Sequence, residues 1–135
     1  MQHKPVLTLS ECEAALAAAK LAAEGAGWRV TIAVVDDGGH LLGLRRLDGC
    51  APVAAYVATE KARTAALARR PSADFEEMIN GGRLAFLSVP LVQATMTGGV
   101  PISLNGQVVG AVGVSGVKPD QDAAVAQAGV DALLG

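Results

Sequence analysis

Apolar side chains recur at intervals of three and four along residues 9–25, which predicts an amphipathic first helix with a narrow, alanine-rich face. Thr8 and Glu11 stand three positions apart at its start, the spacing of a capping box. Gly25 and Gly27 follow the last apolar positions, and glycine commonly ends helices. The chain therefore opens on a helix whose buried face is built from small side chains.

Two pairs of predicted strands are each joined by a short turn. Residues 28–35 and 41–47 are rich in β-branched or alternating apolar residues and flank an Asp-Asp-Gly-Gly turn. Residues 100–104 and 107–115 flank Asn-Gly, the strongest short-range signal for a hairpin. We therefore expect two antiparallel hairpins.

Three more helices are predicted, at residues 53–70, 72–79 and 119–134. The first should end before Pro71, because the residue preceding a proline avoids the helical conformation. Ser72 is placed to cap the second, and Pro119 to occupy the first turn of the third. Residues 84–89 fit helix or strand, and residues 92–96 fit a short strand. Hairpins separated by helices predict one α+β domain with an antiparallel sheet.

Composition and charge narrow the class of protein. Of 135 residues, 51% are apolar but 3% are aromatic, so the core must be built from alanine, valine and leucine. This apolar content excludes a disordered chain, and no apolar run is long enough to cross a membrane. The net charge of −2 does not indicate a basic surface for binding nucleic acid, and two cysteines are too few for a disulfide framework. With no signal-peptide pattern near Met1, we expect a cytoplasmic protein without nucleic-acid or membrane partners.

The Asp-Asp-Gly-Gly-His turn of residues 36–40 is the first candidate for chemistry. Two carboxylates and an imidazole on a glycine turn could bind a metal or transfer a proton. The alternative, which spacing alone favours, is a polar hairpin turn with a solvated imidazole. His40 is one of two histidines and His3 lies close to the N-terminus, so His40 is the expected ligand if a ring nitrogen binds iron.

Lys61 is the second candidate, because it falls within an alanine-lined stripe of the predicted long helix. If that stripe is buried, the ammonium needs a carboxylate partner or an anionic ligand, or its pKa falls. The alternative is a lysine whose stem packs while its amine reaches solvent. Glu60 is adjacent in sequence but points about 100° away around the helix, so it need not be the partner.

Closely spaced glycines form the third candidate. Gly98, Gly99 and the glycine-rich residues 110–116 could bring backbone close to a ligand or to another chain. The spacing matches neither a dinucleotide-binding fingerprint nor a phosphate-binding loop. Glycines that ease the packing of a strand against a helix are the interpretation that the sequence favours.

Three stretches together resemble the GlcG/HbpS family, also known as haem-degrading or PduO C-terminal-like domains. They are Ile-Ala-Val-Val-Asp-Asp-Gly-Gly-His-Leu at residues 32–41 leading into Arg-Leu-Asp-Gly at 46–49, Glu-Lys-Ala-Arg-Thr-Ala at 60–65, and Gly-Gln-Val-Val-Gly-Ala-Val-Gly-Val-Ser-Gly at 106–116 with Pro-Asp-Gln-Asp at 119–122. The resemblance covers nearly the whole chain. It implies a profilin-like five-stranded antiparallel sheet flanked by helices in α/β/α layers, and homo-oligomers from dimers to octamers.

The family implies several functions. Some relatives bind haem, and a secreted branch is linked to iron and redox sensing. Another branch is attached to corrinoid adenosyltransferases, and others accompany genes for glycolate use. A lyase activity on hydroxylaminobenzoate is also associated with small proteins of this type.

The first functional hypothesis is a haem-binding protein. His40, or a surface group in a groove of the oligomer, would contact the iron, and Lys61 or Arg45 would meet the propionates. Because the chain has few aromatic residues and histidines, we expect any haem or related tetrapyrrole site to be shallow or shared between subunits.

The second hypothesis is a small-molecule enzyme, a lyase or isomerase acting on an anionic metabolite. Lys61 would hold or protonate the substrate, with Glu60, Tyr56 or His40 as acid–base partner. Five further positions are candidates for ligand binding: Arg45, Thr64, Arg83, Gly98 and Gly99. Of these, the arginines would bind a carboxylate and the glycine N–H groups an oxyanion. A third hypothesis is a structural or regulatory oligomer without a ligand.

Overall fold

The computed structural model describes residues 1–134, in which four α-helices, one 3₁₀ helix and four strands follow one another. In chain order they are α1 (Leu9–Ala26), β1 (Thr31–Asp36), β2 (Leu41–Arg46), α2 (Val53–Ala68), α3 (Ser72–Asn80), the 3₁₀ helix (Leu84–Ser88), β3 (Gly99–Leu104), β4 (Gln107–Ser115) and α4 (Pro119–Leu134). Both hairpins are present, and the α+β class predicted from the sequence is confirmed.

The sheet has four strands within the described residues, so the expectation of five strands is wrong. Its order is β2-β1-β4-β3, and every neighbouring pair is antiparallel. Residues 92–96, predicted as a strand, are irregular. The hydroxyl of Thr64 donates to the carbonyl of Ala94 and that of Ser72 donates to the carbonyl of Met96. The carbonyls of this segment therefore bind side chains of α2 and α3 instead of a sheet edge.

Three element ends differ from the sequence prediction for local reasons. Gly27 adopts a left-handed φ of 74° and the N–H of Trp28 donates to the carbonyl of Ala23, so residues 28–30 complete the cap of α1 before β1 begins. Arg69 is also left-handed, with φ of 59°, and this ends α2 at Ala68. Ser72 makes no capping hydrogen bond, since its hydroxyl binds residues 96 and 99 instead.

The sheet is covered on both faces, which gives three layers. Helices α1 and α4 pack on one face around Ile32 and Val34, and α2 packs on the other face against Ala33 and Val35. Strand β1 is therefore buried on both sides. The side of α2 that meets the sheet consists of alanines and contributes little apolar volume, so the larger core lies between the sheet, α1 and α4.

A pair of glycines lets α2 lie directly on the sheet. Gly99 and Gly113 are opposite each other on β3 and β4. A Cβ at Gly113 would overlap the carbonyl oxygen of Ala58, and one at Gly99 would overlap that of Lys61. The packing role that the sequence favours for these glycines is thus observed, and it fixes the depth at which Lys61 enters the structure.

Candidate functional site

Lys61 and Asp122 form an ion pair in the interior. The ammonium Nζ lies 3.0 Å from Oδ2 of Asp122 and 3.0 Å from the carbonyl oxygen of Val114, to both of which it donates. Each side chain is 4% exposed. The other carboxylate oxygen accepts the N–H of Val117 at 3.1 Å. The pair joins α2, the end of β4 and the first turn of α4.

Burial of the Asp122 carboxyl group has the largest effect on its pKa within this pair. Burial raises the pKa of the Asp122 carboxyl, and the Lys61 ammonium, together with the N–H of Val117, offsets only part of that rise. The carboxylate partner that the sequence analysis required for a buried Lys61 is therefore Asp122 and not Glu60. Glu60 instead pairs with Arg63 on the outside of α2.

Several predicted ligand-binding groups are occupied by intramolecular hydrogen bonds. Thr64 is buried and donates to the carbonyl of Ala94 at 2.9 Å. The N–H of Gly99 donates to the hydroxyl of Ser72 at 2.8 Å, and the carbonyl of Gly98 accepts the N–H of Val114. A ligand at Thr64, at the N–H of Gly99 or at Lys61 would have to displace a bond of the fold. Their roles in binding stay predictions.

His40 lies on the surface, with its side chain 80% exposed. Nδ1 is 3.1 Å from Oδ1 of Asp36, and that oxygen also accepts the N–H groups of Gly38 and His40. A carboxylate on Nδ1 orients an imidazole so that Nε2 points away and is free to bind. Among residues 1–134 no three His, Cys, Asp or Glu side chains gather as a metal site, so an iron at His40 would need ligands of its own, as in haem.

A shallow groove lies along the outer face of α2. It measures about 230 Å³ and is lined by Tyr56, Val57, Glu60, Gln93, Ala94 and Met96. The Tyr56 phenol is 77% exposed and Met96 is 46% exposed. Tyr56 and Glu60 stand one helical turn apart, so two of the predicted acid–base residues meet here. The groove therefore combines an apolar floor with a phenol, a thioether and a carboxylate.

The predicted acid–base residues occupy three separate places. The groove holds Tyr56 and Glu60, while Lys61 points to the opposite, buried side of α2. Arg63 donates to the carbonyl of Gly39 and so connects the groove to the turn that carries His40. No single pocket gathers all the candidates.

The two predicted ligand-binding arginines lie on different elements, Arg45 on β2 and Arg83 directly before the 3₁₀ helix. Arg45 lies at the opposite end of β2 from His40, about 16 Å away along the extended strand. Arg83 stacks over the ring of Phe86, 5.1 Å from its centroid, beyond α3.

Two features of the site were missed by sequence reasoning. Met96 is exposed at the groove. No periodicity marks residues 92–96, so no signal was available there. Asp122 lies in the first turn of α4, where a carboxylate favours the helix dipole, and its pairing with Lys61 spans 61 positions of sequence without a local motif to indicate it.

No helix among residues 1–134 has both the length and the apolar character needed to cross a membrane.

Comparison with known proteins finds one matching family and a similar curated protein. Residues 7–131 match the family described as "Haem degrading protein HbpS-like". Protein GlcG of Escherichia coli strain K12 is 52% identical over 115 residues, which span 85% of each chain.

Two solved structures extend the comparison. A double mutant of HbpS from Streptomyces reticuli superposes with a TM-score of 0.90 at 32% identity, covering 100% of this chain and 91% of that one. A structure described as a complex of PduOC with haem superposes with a TM-score of 0.82 at 23% identity over 95% of both chains, a likeness of fold alone.

Proposed function

Because the chain belongs to the HbpS-like family of haem-degrading proteins, we propose that it binds haem or a related tetrapyrrole in a shallow site shared between copies of the chain. The observation that carries the proposal is the groove beside Tyr56 and Met96, where an apolar surface is exposed next to two groups that can ligate iron. Haem, when bound, would supply the iron and its redox chemistry.

The size of the groove supports a shared site. Pockets that enclose small organic ligands measure roughly 300–1,000 Å³, and this groove, at about 230 Å³, falls below that range. One chain can therefore cover only one face or edge of a macrocycle. A second copy is needed to remove the rest of it from water.

The surface around the groove supports self-association. Exposed apolar side chains occur at the start of α2 and in the segment after α3: Val53, Leu84, Leu87, Val89 and Leu91. Leu91 holds a left-handed φ of 63°, which costs a leucine about 1–2 kcal/mol, and its side chain is 66% exposed. An apolar side chain kept exposed in a strained turn is well explained if it packs on another copy.

The side chains at and near the groove have the chemistry needed to hold haem. Tyr56 and Met96 offer a phenolate oxygen and a thioether sulfur at the groove, and His40 offers Nε2 at the end of the same outer face of α2. Arg63, which pairs with Glu60 at the rim, is the cation placed to meet a propionate. Lys61 is held by Asp122 and is not needed for that role.

A haem titration followed by the Soret band tests the proposal. Wild type should give a saturable shift, and Tyr56→Ala should weaken binding about tenfold or more because it removes the largest apolar surface and one candidate ligand. Met96→Leu and His40→Ala then identify the ligand, because the variant that loses it changes the position of the band. A wild-type protein that gives no saturable shift contradicts the proposal.

An enzyme acting on a small anion is the alternative, and one observation favours it. The phenol of Tyr56 and the carboxylate of Glu60 lie together on an exposed face, an arrangement capable of proton transfer. Incubation with hydroxylaminobenzoate or small hydroxy acids, followed by product analysis, tests this lyase or isomerase hypothesis. Turnover that Glu60→Gln abolishes would establish it, and absence of turnover by wild type would remove it.

A further inference from the structure

A second concavity, here called the basic cleft, opens where the C-terminal end of α1 meets the end of the β1–β2 hairpin. It measures about 540 Å³ and is lined by Lys20, Glu24, Gly27, Trp28, Arg29, Arg45, Arg46, Leu47 and Asp48. Its volume falls within the range of sites for small organic ligands. It is distinct from the groove on α2, which lies on the other face of the sheet.

The charge in the basic cleft is unbalanced. Four of the chain's 11 basic side chains line it against two carboxylates, although the whole chain carries a net charge of −2. Among residues 1–134 no ion pair joins any of these six side chains, while Lys4, Lys61, Arg63 and Arg70 elsewhere each hold a carboxylate. The cleft therefore concentrates cations whose charge the fold leaves uncompensated.

Two guanidinium groups in the cleft are already positioned by hydrogen bonds to backbone carbonyls, and a third packs against a glycine. Arg46 donates to the carbonyl of Cys50 at 3.1 Å, and Arg45 donates to that of Leu44 at 3.0 Å. Arg29 lies over Gly49, where a Cβ would come within 2.8 Å of its Cδ. Each guanidinium has five donors, so donors remain for a ligand. Preorganised donors bind an anion with less loss of side-chain entropy.

The position of β2 explains why two successive arginines reach the same opening. Side chains of Arg45 and Arg46 point to opposite faces of the sheet, but β2 is an edge strand and both are exposed at its end. The C-terminal carbonyls of α1 also attract cations, yet the N–H groups of Gly27 and Trp28 already cap that end. Helix capping therefore does not account for four cations.

Two apolar side chains also line the cleft. Trp28 and Leu47 pack on the main core and are partly exposed, so an indole and an aliphatic side chain lie in the same concavity as the cationic groups. An aromatic face next to guanidinium groups suits a flat organic molecule that carries negative charge at its edge.

We propose that the basic cleft is a binding site for a small, flat organic dianion, whose charged groups bind Arg45, Arg46 and Arg29 while its apolar body rests on Trp28. Carboxylate and phosphate share this chemistry. The inference does not depend on haem binding, because the groove on α2 and the basic cleft share no residue.

Titration of the full chain with four defined anions tests the proposal. Trp28 is the only tryptophan, so its fluorescence reports on the cleft directly, and calorimetry gives the affinity. Phthalate and phenyl phosphate should bind saturably and shift the Trp28 emission, and the tighter of the two identifies the preferred head group. Benzoate, with one charge, should bind at least tenfold more weakly, and sulfate, with no apolar body, should bind weakly without shifting the emission.

Matched variants locate the site. Arg45→Gln should weaken the tighter probe about tenfold or more, because a charge-assisted hydrogen bond is lost. Arg70→Gln makes the same change of charge at the far end of α2 and should leave the affinity unchanged. The proposal is overturned if no probe binds saturably, if the two variants weaken binding equally, or if sulfate matches phthalate.

Discussion

At the scale of the residue, the ion pair with Asp122 explains how Lys61 can lie in the buried, alanine-lined stripe of α2. Removing two charges from water is costly, and here the cost is offset by a direct contact, the carbonyl of Val114 and the N–H of Val117. Such a pair adds little net stability over an apolar pair, but each partner depends strongly on the other. We infer that it fixes the relative positions of α2 and α4.

Replacing one partner should therefore lower the free energy of unfolding more than replacing both. Lys61→Met should lower the free energy of unfolding by about 3–5 kcal/mol, because it leaves the Asp122 carboxylate buried without its cation. The double variant Lys61→Met with Asp122→Leu should recover most of that loss. Denaturant unfolding measures both, with Arg70→Gln, an exposed pair, expected to change by less than about 1 kcal/mol. A Lys61→Met variant as stable as Arg70→Gln would disprove this account of the pair.

The titration of Asp122 should show the effect of burial. Its pKa is raised above the ordinary value of 3.8, so the folded chain binds this proton more tightly than the unfolded chain does. The contribution of Asp122 to the free energy of unfolding therefore decreases as pH rises from the unfolded pKa to the folded one. Carboxyl NMR should give a midpoint above 3.8 for Asp122. A midpoint at or below that value would show that Lys61 and the Val117 N–H outweigh burial.

At the scale of the element, the sequence predicted regular structure well and irregular structure poorly. Helix and strand periodicity located α1, both hairpins and α4 within a few residues. The irregular path of residues 94–96 was not predictable, because the carbonyls of Ala94 and Met96 accept hydrogen bonds from Thr64 and Ser72, hydroxyls that lie more than 20 positions away in sequence. The exposure of Met96 follows from the same contacts, so the groove could not be found from the sequence.

The contact between α2 and the sheet depends on the absence of side chains. Gly113→Ala would place a Cβ against the carbonyl of Ala58, and α2 would have to move away from β4. We expect a loss of about 1–3 kcal/mol or more in denaturant unfolding. Gly25→Ala in α1 meets no atom within 4 Å and should instead stabilise the helix by up to about 1 kcal/mol. Equal effects of the two substitutions would contradict the close contact between α2 and the sheet.

At the scale of the whole molecule, the core between α2 and the sheet is small, and several larger apolar side chains lie on the surface instead. Helix α2 meets the sheet through alanines, and the larger side chains of α2 and of residues 84–91 lie outside. A chain built this way gains apolar burial by associating with itself. The family implied by the sequence motifs is confirmed by the comparisons, whereas the shared haem site rests on the groove and its surroundings.

The strained turn at Leu91 gives a test of self-association. Leu91→Gly relieves the left-handed conformation, so the stability of the isolated chain should be unchanged or rise by up to about 1 kcal/mol. The association constant should fall, because an exposed apolar side chain is lost from the interface. Sedimentation at several concentrations, together with unfolding, measures both effects. A variant that associates as strongly as wild type would show that Leu91 is not part of an interface.

Native mass spectrometry of the protein after addition of haem tests the central claim most directly, because it counts chains and haem in one species. A haem shared between facing grooves predicts a complex of two chains and one haem, or multiples of it, that Tyr56→Ala reduces strongly. A single chain that retains one haem in both wild type and Tyr56→Ala would contradict the shared site.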